Sequence, residues 1–148
     1  MNGPASQALY ARLGDLTLAV PGDGLRQVVT VGSLTRVPRV GPELLGLFSV
    51  RGEVLPLIDL RPLLGLEAEA GANAVGRSAA LLEHGGRRVA LMLDEVFGFF
   101  PVRETARAAL NPALEPLTRG ATAHDTLIAA LLEPGSLLNA LERGLVLV

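Results

Sequence analysis

The sequence lacks cysteine and lysine altogether, and it holds only two histidines, His84 and His124. Without cysteine there is no disulfide, no thiolate zinc site and no cysteine nucleophile. Without lysine there is no Walker-type phosphate loop, no Schiff-base amine and no kinase lysine, and all thirteen basic residues are arginine. Two histidines do not make a multi-histidine metal site. No metal and no cofactor is therefore expected. Long apolar runs are missing too. The longest, Leu127–Leu132, falls far short of the ~20 residues that span a bilayer, and the first residues lack the basic-then-apolar order of a secretory signal. Nor is there an excess of positive charge. Thirteen arginines against fifteen acidic residues leave a net charge of −2 and no basic footprint for nucleic acid. These absences point to a soluble cytoplasmic protein without a nucleic-acid partner or membrane insertion.

What is present is apolar and finely punctuated. Apolar residues make up 49% of 148, enough for a core without staples and for a surface that contacts another protein. The apolar segments are short and broken roughly every eight to twelve residues by Gly, Pro or Asp, the pattern of many short strands. Leu9–Leu13 and Leu16–Val20 flank Gly14-Asp15, Leu47–Val50 and Glu53–Ile58 flank Arg51-Gly52, and Ser78–Glu83 and Arg87–Leu93 flank His84-Gly85-Gly86. Each is a hairpin whose turn holds a residue suited to positive φ. Leu114–Thr122 and Leu127–Leu132 are expected to pair, and Leu137–Leu141 to form a helix ended by Gly144.

Less regular stretches carry weaker expectations. Gly22–Val29 reads as a short helical turn, and Gly41–Leu45 as one helical turn with proline near its start. Asp59–Gly65 reads as a short helix with Asp59 as N-cap and Gly65 as its left-handed stop. Glu67–Arg77 has no apolar period and is the candidate mobile loop. Gly14–Val20 and Gly86–Leu93, each a turn glycine followed by an apolar strand, echo one another about half a chain apart. Two small β-barrels sharing a core would produce that echo, and so would two unrelated hairpins.

The densest signal is the run from Leu45 to Arg61. From the residues alone it is a tight hairpin tipped by Arg51, followed by a strand and a capped turn; a solvated turn arginine is the plainer reading. The run resembles the signature of the CheW-like domain of bacterial chemosensory systems, Gly-x-x-Asn-Leu-Arg-Gly followed by an apolar strand and Asp-Leu-Arg. Gly46, Arg51, Gly52, Pro56, Ile58, Asp59, Leu60 and Arg61 match it. Leu18–Pro21, Val28, Thr35–Pro38 and Val89–Val96 fit the family's other strands, so the resemblance covers residues 8–143 as a single domain. The family's Asn-Leu is replaced here by Ser49-Val50, the stretch after Asp94 is more apolar than usual, and the C-terminal third matches loosely.

The resemblance implies a mostly β fold of two SH3-like five-stranded barrels around a shared hydrophobic core, with short helices including one near the C-terminus. It also implies a non-enzymatic adaptor that couples chemoreceptor cytoplasmic tips to a CheA-type histidine kinase, whose regulatory domain has the same fold. By position, Gly46, Ser49, Val50, Arg51 and Gly52 become the candidate protein-binding residues, while Asp59 and Arg61 fix local geometry. A scaffold of a non-flagellar array, serving pilus motility or gene regulation, fits the same residues. Two other classes stay open. His124-Asp125-Thr126 is reminiscent of an aspartic hydrolase that pairs two aspartates by dimerising, although Leu127 stands where that motif needs glycine. A binding module outside chemosensing could use Phe97, Phe99 and Phe100 to line a pocket, or bury them as core.

Overall fold

The computed structural model describes residues 7–38, 41–67, 73–105 and 111–145. The hairpins expected from turn chemistry are all there. β1 (Gln7–Leu13) and β2 (Leu16–Pro21) turn at Gly14, β4 (Leu44–Val50) and β5 (Glu53–Ile58) at Arg51-Gly52, and β6 (Ser78–His84) and β7 (Arg87–Leu93) at Gly85-Gly86. β10 (Thr118–His124) and β11 (Leu127–Leu132) also pair, with a two-residue turn at Asp125-Thr126. Between these lie β3 (Leu25–Thr30), β8 (Glu95–Pro101) and the short β9 (Glu104–Thr105), and helix α1 (Pro134–Leu145) follows.

Two sheets result, in the orders β8-β1-β2-β11-β10-β9 and β3-β6-β7-β5-β4. The first five strands of one correspond one for one with the other. Each sheet holds an antiparallel hairpin (β1-β2, β6-β7), and takes from the other half of the chain both a second hairpin, reached by a parallel contact (β2-β11, β7-β5), and a flanking strand (β8, β3); the second sheet is thus the consecutive strands β3–β7. The sequence echo is thus realised as a topological repeat with exchanged strands. The mostly β, two-sheet architecture with few helices is the one the resemblance implies, although neither hydrogen-bonded ladder closes fully into a barrel. The gap is instead bridged by the chain beyond the donated strand. After β3, Thr35 exchanges two hydrogen bonds of 2.8 Å with Leu47 of β4; after β8, β9 pairs with β10.

Four local expectations change. Leu25–Thr30 is a strand and not a helical turn, its residues alternating half-buried and exposed as it lies along β6. Gly41–Leu45 is a tight turn closed by the Leu44 N–H on the Gly41 carbonyl, after which pairing with β5 takes over. The short helix after β5 is a 3-10 turn, Arg61–Leu64, capped at Leu60 and stopped by left-handed Gly65; Asp59 acts one residue earlier, accepting the Arg61 N–H at 3.0 Å. Leu114 and Leu117 belong to a second 3-10 turn, Pro112–Leu117, and not to the strand. Of the candidate mobile loop, residues 68–72 lie outside the described residues. Its end is fastened: Val31 and Arg77, and Gly76 and Val31, share 2.8 Å backbone bonds, and Ala74 is buried.

The main core fills the space between the sheets. Leu9, Leu18, Leu57, Ile58, Leu91 and Leu93 meet there, and α1 lays Leu137, Leu138 and Leu141 against them. Each such leucine contributes roughly 1.5–3 kcal/mol of burial. α1 runs through Gly144, one residue past the stop read from sequence, and begins with Pro134, where the missing N–H does no harm. Its start is held by charge. Arg119 bridges Glu133 at 2.7 Å and Asp23 at 3.4 Å, and the Glu133 carboxylate also accepts the Gly135 N–H. The Arg119 hydrogen bond, ahead of the desolvation that opposes it, holds the Glu133 carboxyl below its usual range. No helix among the described residues is long and apolar enough to cross a membrane.

Candidate docking site

The β4–β5 hairpin puts the candidate residues at one corner of the second sheet. Val50 and Glu53 close a two-residue turn in which Arg51 (φ 52°) and Gly52 (φ 84°) are both left-handed. That geometry matches the twist of the strands it joins. Sequence reasoning assigned positive φ to Gly52 alone; Arg51 shares it, at a cost of about 1 kcal/mol for a residue with a Cβ. Ser49, Arg51 and Gly52 are exposed and Val50 half-buried. Gly46 is different. It is buried at an irregularity in the β4–β5 pairing with φ 156°, and a Cβ there would stand 2.8 Å from the Thr35 carbonyl oxygen. Gly46 therefore serves the close approach that bridges β4 to the chain after β3, and it lies inside the corner while Ser49, Arg51 and Gly52 lie on its surface.

Beside the tip lies a cavity of about 210 Å³, lined by Arg26, Arg51 and Arg88 together with Leu55, Leu81 and Leu82. The rim is a row of alternating charge in sheet order. Arg26 on β3 pairs with Glu83 on β6 at 3.3 Å, Glu83 with Arg88 on β7 at 3.3 Å, and Arg88 with Glu53 on β5. These hydrogen bonds, first to Glu53 and then to Glu83, raise the Arg88 pKa. Arg51 comes next along the row and has no ion pair among the described residues. The signal was absent from linear sequence because its members come from four strands far apart in the chain.

Asp59 and Arg61 stay local, as expected. Asp59 is fully buried, and its two oxygens accept from Nε and Nη2 of Arg61, each at 3.0 Å. The pair fixes the exit of β5 and, through it, the strand that carries the hairpin.

Asp125, the candidate of the hydrolase reading, is at the tip of the β10–β11 turn with its side chain 85% exposed and 3.6 Å from His124 Nε2. An aspartic dyad needs carboxylates held in a shared, shielded site. A freely solvated tip is the opposite environment. His124 turns inward, stacking on Phe100 at 3.8 Å, while the Tyr10 hydroxyl and Thr122 Oγ1 are hydrogen-bonded at 2.7 Å beneath. The Phe cluster divides: Phe97 and Phe100 pack with Tyr10, and Phe99 is exposed beside a second groove of about 420 Å³ with Val28 and Leu25. That groove joins β3 to β8, and only the strand exchange brings its walls together. Among the described residues no group of three His, Asp or Glu side chains is placed to hold a metal.

Comparison with known proteins agrees with this architecture. The CheW-like domain family matches residues 7–142. Among curated relatives, Protein FrzA of Myxococcus xanthus is 40% identical over 57 residues, 38% of this chain and 36% of that protein. Chemotaxis protein CheW of Helicobacter pylori is 42% identical over 57 residues, covering 38% and 34%. Protein PilI of Pseudomonas aeruginosa is 32% identical over 114 residues, covering 74% and 62%. The matched stretch thus spans about a third of the first two relatives' lengths and under two thirds of the third's. The solved structure of scaffolding protein TtCheW from Thermoanaerobacter tengcongensis superposes with a TM-score of 0.69 over 90% of this chain and 86% of that one, at 16% identity, a likeness of fold. The chain belongs to the CheW-like domain family.

Proposed function

We propose that this CheW-like chain is a non-enzymatic adaptor, with residues 8–143 working as one unit, that couples chemoreceptor cytoplasmic tips to the regulatory domain of a CheA-type histidine kinase. The observation that carries the reading is the exposed Arg51, held on a rigid turn with no ion pair of its own among the described residues. A guanidinium so placed forks onto a partner carboxylate and sets register, while the neighbouring leucines supply apolar contact. Ser49, Val50 and Gly52 complete the contacting corner, and Gly46 supports it from inside. Nothing in this arrangement needs a metal, a cofactor or a nucleophile.

A second reading keeps the adaptor and changes the array to one serving pilus motility or gene regulation. Both readings are tested by a pull-down against the regulatory domain of a CheA-type histidine kinase from the same organism. Capture by the wild-type chain is expected, and its loss in Arg51→Ala with an unchanged thermal melt supports the corner as the contact. No capture by the wild type contradicts the adaptor role.

A further inference from the structure

The chain passes between the two sheets at two places. It enters the second sheet from β2 through Gly22-Asp23-Gly24 and leaves it for β8 through Asp94. Each crossing carries one aspartate, and the two are held very differently. Asp23, its side chain 43% exposed, has Arg119 Nη2 at 3.4 Å. The Asp94 side chain is 16% exposed, and its two oxygens serve different sheets. Oδ2 accepts the Gly14 N–H of the β1–β2 turn at 2.7 Å, with Arg12 Nη1 at 3.7 Å. Oδ1 accepts Arg77 Nη1 at 2.6 Å. Arg77 immediately precedes β6, and its carbonyl accepts the Val31 N–H at 2.8 Å, just past the end of β3. One carboxylate therefore joins the start of β8 to the end of β3. These are the outer strands of their sheets and share no ladder, yet they wall the groove of about 420 Å³, with Phe99 on one side and Leu25 and Val28 on the other.

We propose that Asp94 is a positioning residue that sets the width of the β3–β8 groove. The proposal goes beyond the docking corner, which lies on β4–β5 toward the other edge of the second sheet. The core between the sheets is apolar, and apolar burial is non-directional, so packed layers tolerate small slides. Charge-assisted hydrogen bonds fix a direction as well as a distance. At Asp94 one such bond comes from each sheet, an amide from the first and a guanidinium from the second. Leverage then magnifies any slack. Phe99 lies five residues along β8 from Asp94, roughly 17 Å at about 3.4 Å per residue, so a turn of about 10° at the crossing carries it roughly 3 Å. Asp23 supplies the internal control, since it too sits at a crossing and faces an arginine, but on the surface.

The absence of cysteine makes the groove directly measurable. Val28→Cys and Phe99→Cys, both at exposed positions on opposite walls, take nitroxide labels whose separation is read by pulsed electron paramagnetic resonance. In this labelled chain Asp94→Ala is expected to broaden the distance distribution and shift its mean by about 3 Å. Arg77→Gln, which releases the second-sheet side alone, should change it in the same sense by less. Asp23→Ala should leave it as it was. So should Ile58→Val, which removes a methyl group from the core and lowers stability without touching the node. An unchanged separation in Asp94→Ala overturns the proposal. An equal change in Asp23→Ala or Ile58→Val also overturns it, because general loosening then accounts for the effect. Should Asp94→Ala fail to fold, Arg77→Gln decides alone: a changed separation supports the node and a wild-type separation overturns it.

Discussion

The hairpins β4–β5 and β10–β11 occupy corresponding places in the two sheets, and their turns begin alike. Arg51 has φ 52° and Asp125 φ 51°, the two residues other than glycine with positive φ among those described. Each hairpin also exposes a β-branched side chain three residues further on, Val54 and Ile128. The surroundings differ. Arg51 lines a cavity with Arg26 and Arg88 and has no ion pair among the described residues, whereas Asp125 sits by His124, which is stacked on Phe100. The two turns share a backbone and differ in the side chain that each tip presents, which is the difference the proposed docking role turns on.

The comparison is broken most severely at the glycines inside the two hairpins. Gly46 and Gly120 both have positive φ, 156° and 129°, but only at Gly46 would a Cβ meet backbone, the Thr35 oxygen at 2.8 Å; at Gly120 nothing lies within 4 Å. Gly46→Val should therefore cost about 2–4 kcal/mol, combining backbone strain with overpacking, and Gly120→Val about 1–2 kcal/mol from strain alone. Chemical denaturation of the two variants measures the difference, and equal losses would deny that Gly46 serves the bridge to Thr35. At the tips, Arg51→Gly and Asp125→Gly relieve the left-handed strain but loosen the unfolded chain, so each should stay within about 1 kcal/mol of wild type by the same assay.

The smallest effect concerns pH. The Glu133 carboxyl titrates below its usual range because Arg119 bonds its charged form. Its contribution is thus complete above the ordinary glutamate range and lost as the pH falls through the depressed value. Glu133→Gln should lower stability by no more than about 1 kcal/mol at neutral pH, since the pair is about a third exposed, and should make the acid limb of a stability–pH curve shallower. An unchanged acid limb would show that the clamp at the start of α1 is inert.

The sequence disclosed whatever is local. Gly14, Gly52, Gly85 and Gly86 announce their turns because left-handed backbone favours glycine, and alternation between them marks the strands. Gly65 stops the 3-10 turn for the same reason. What was illegible is long-range. Gly22–Val29 has the local pattern of a helical turn, but Leu25–Thr30 is a strand because its partner, β6, lies some fifty residues downstream, and pairing across that distance overrides weak local preference. Asn111 caps the second 3-10 turn through a bond to the Ala113 N–H, a local signal within reach of sequence that was passed over in favour of a strand. At the docking corner, Arg51 and Gly52 stood out in the linear motif; the cavity and the charged row beside them did not, since β3, β5, β6 and β7 meet only after folding.

The central claim is tested most directly by titrating the kinase regulatory domain into Arg51→Gly and Asp125→Gly side by side. The account predicts at least a tenfold loss of affinity in the first and wild-type affinity in the second, with both melts close to wild type. Equal affinities in the two variants, or a loss confined to Asp125→Gly, would contradict it.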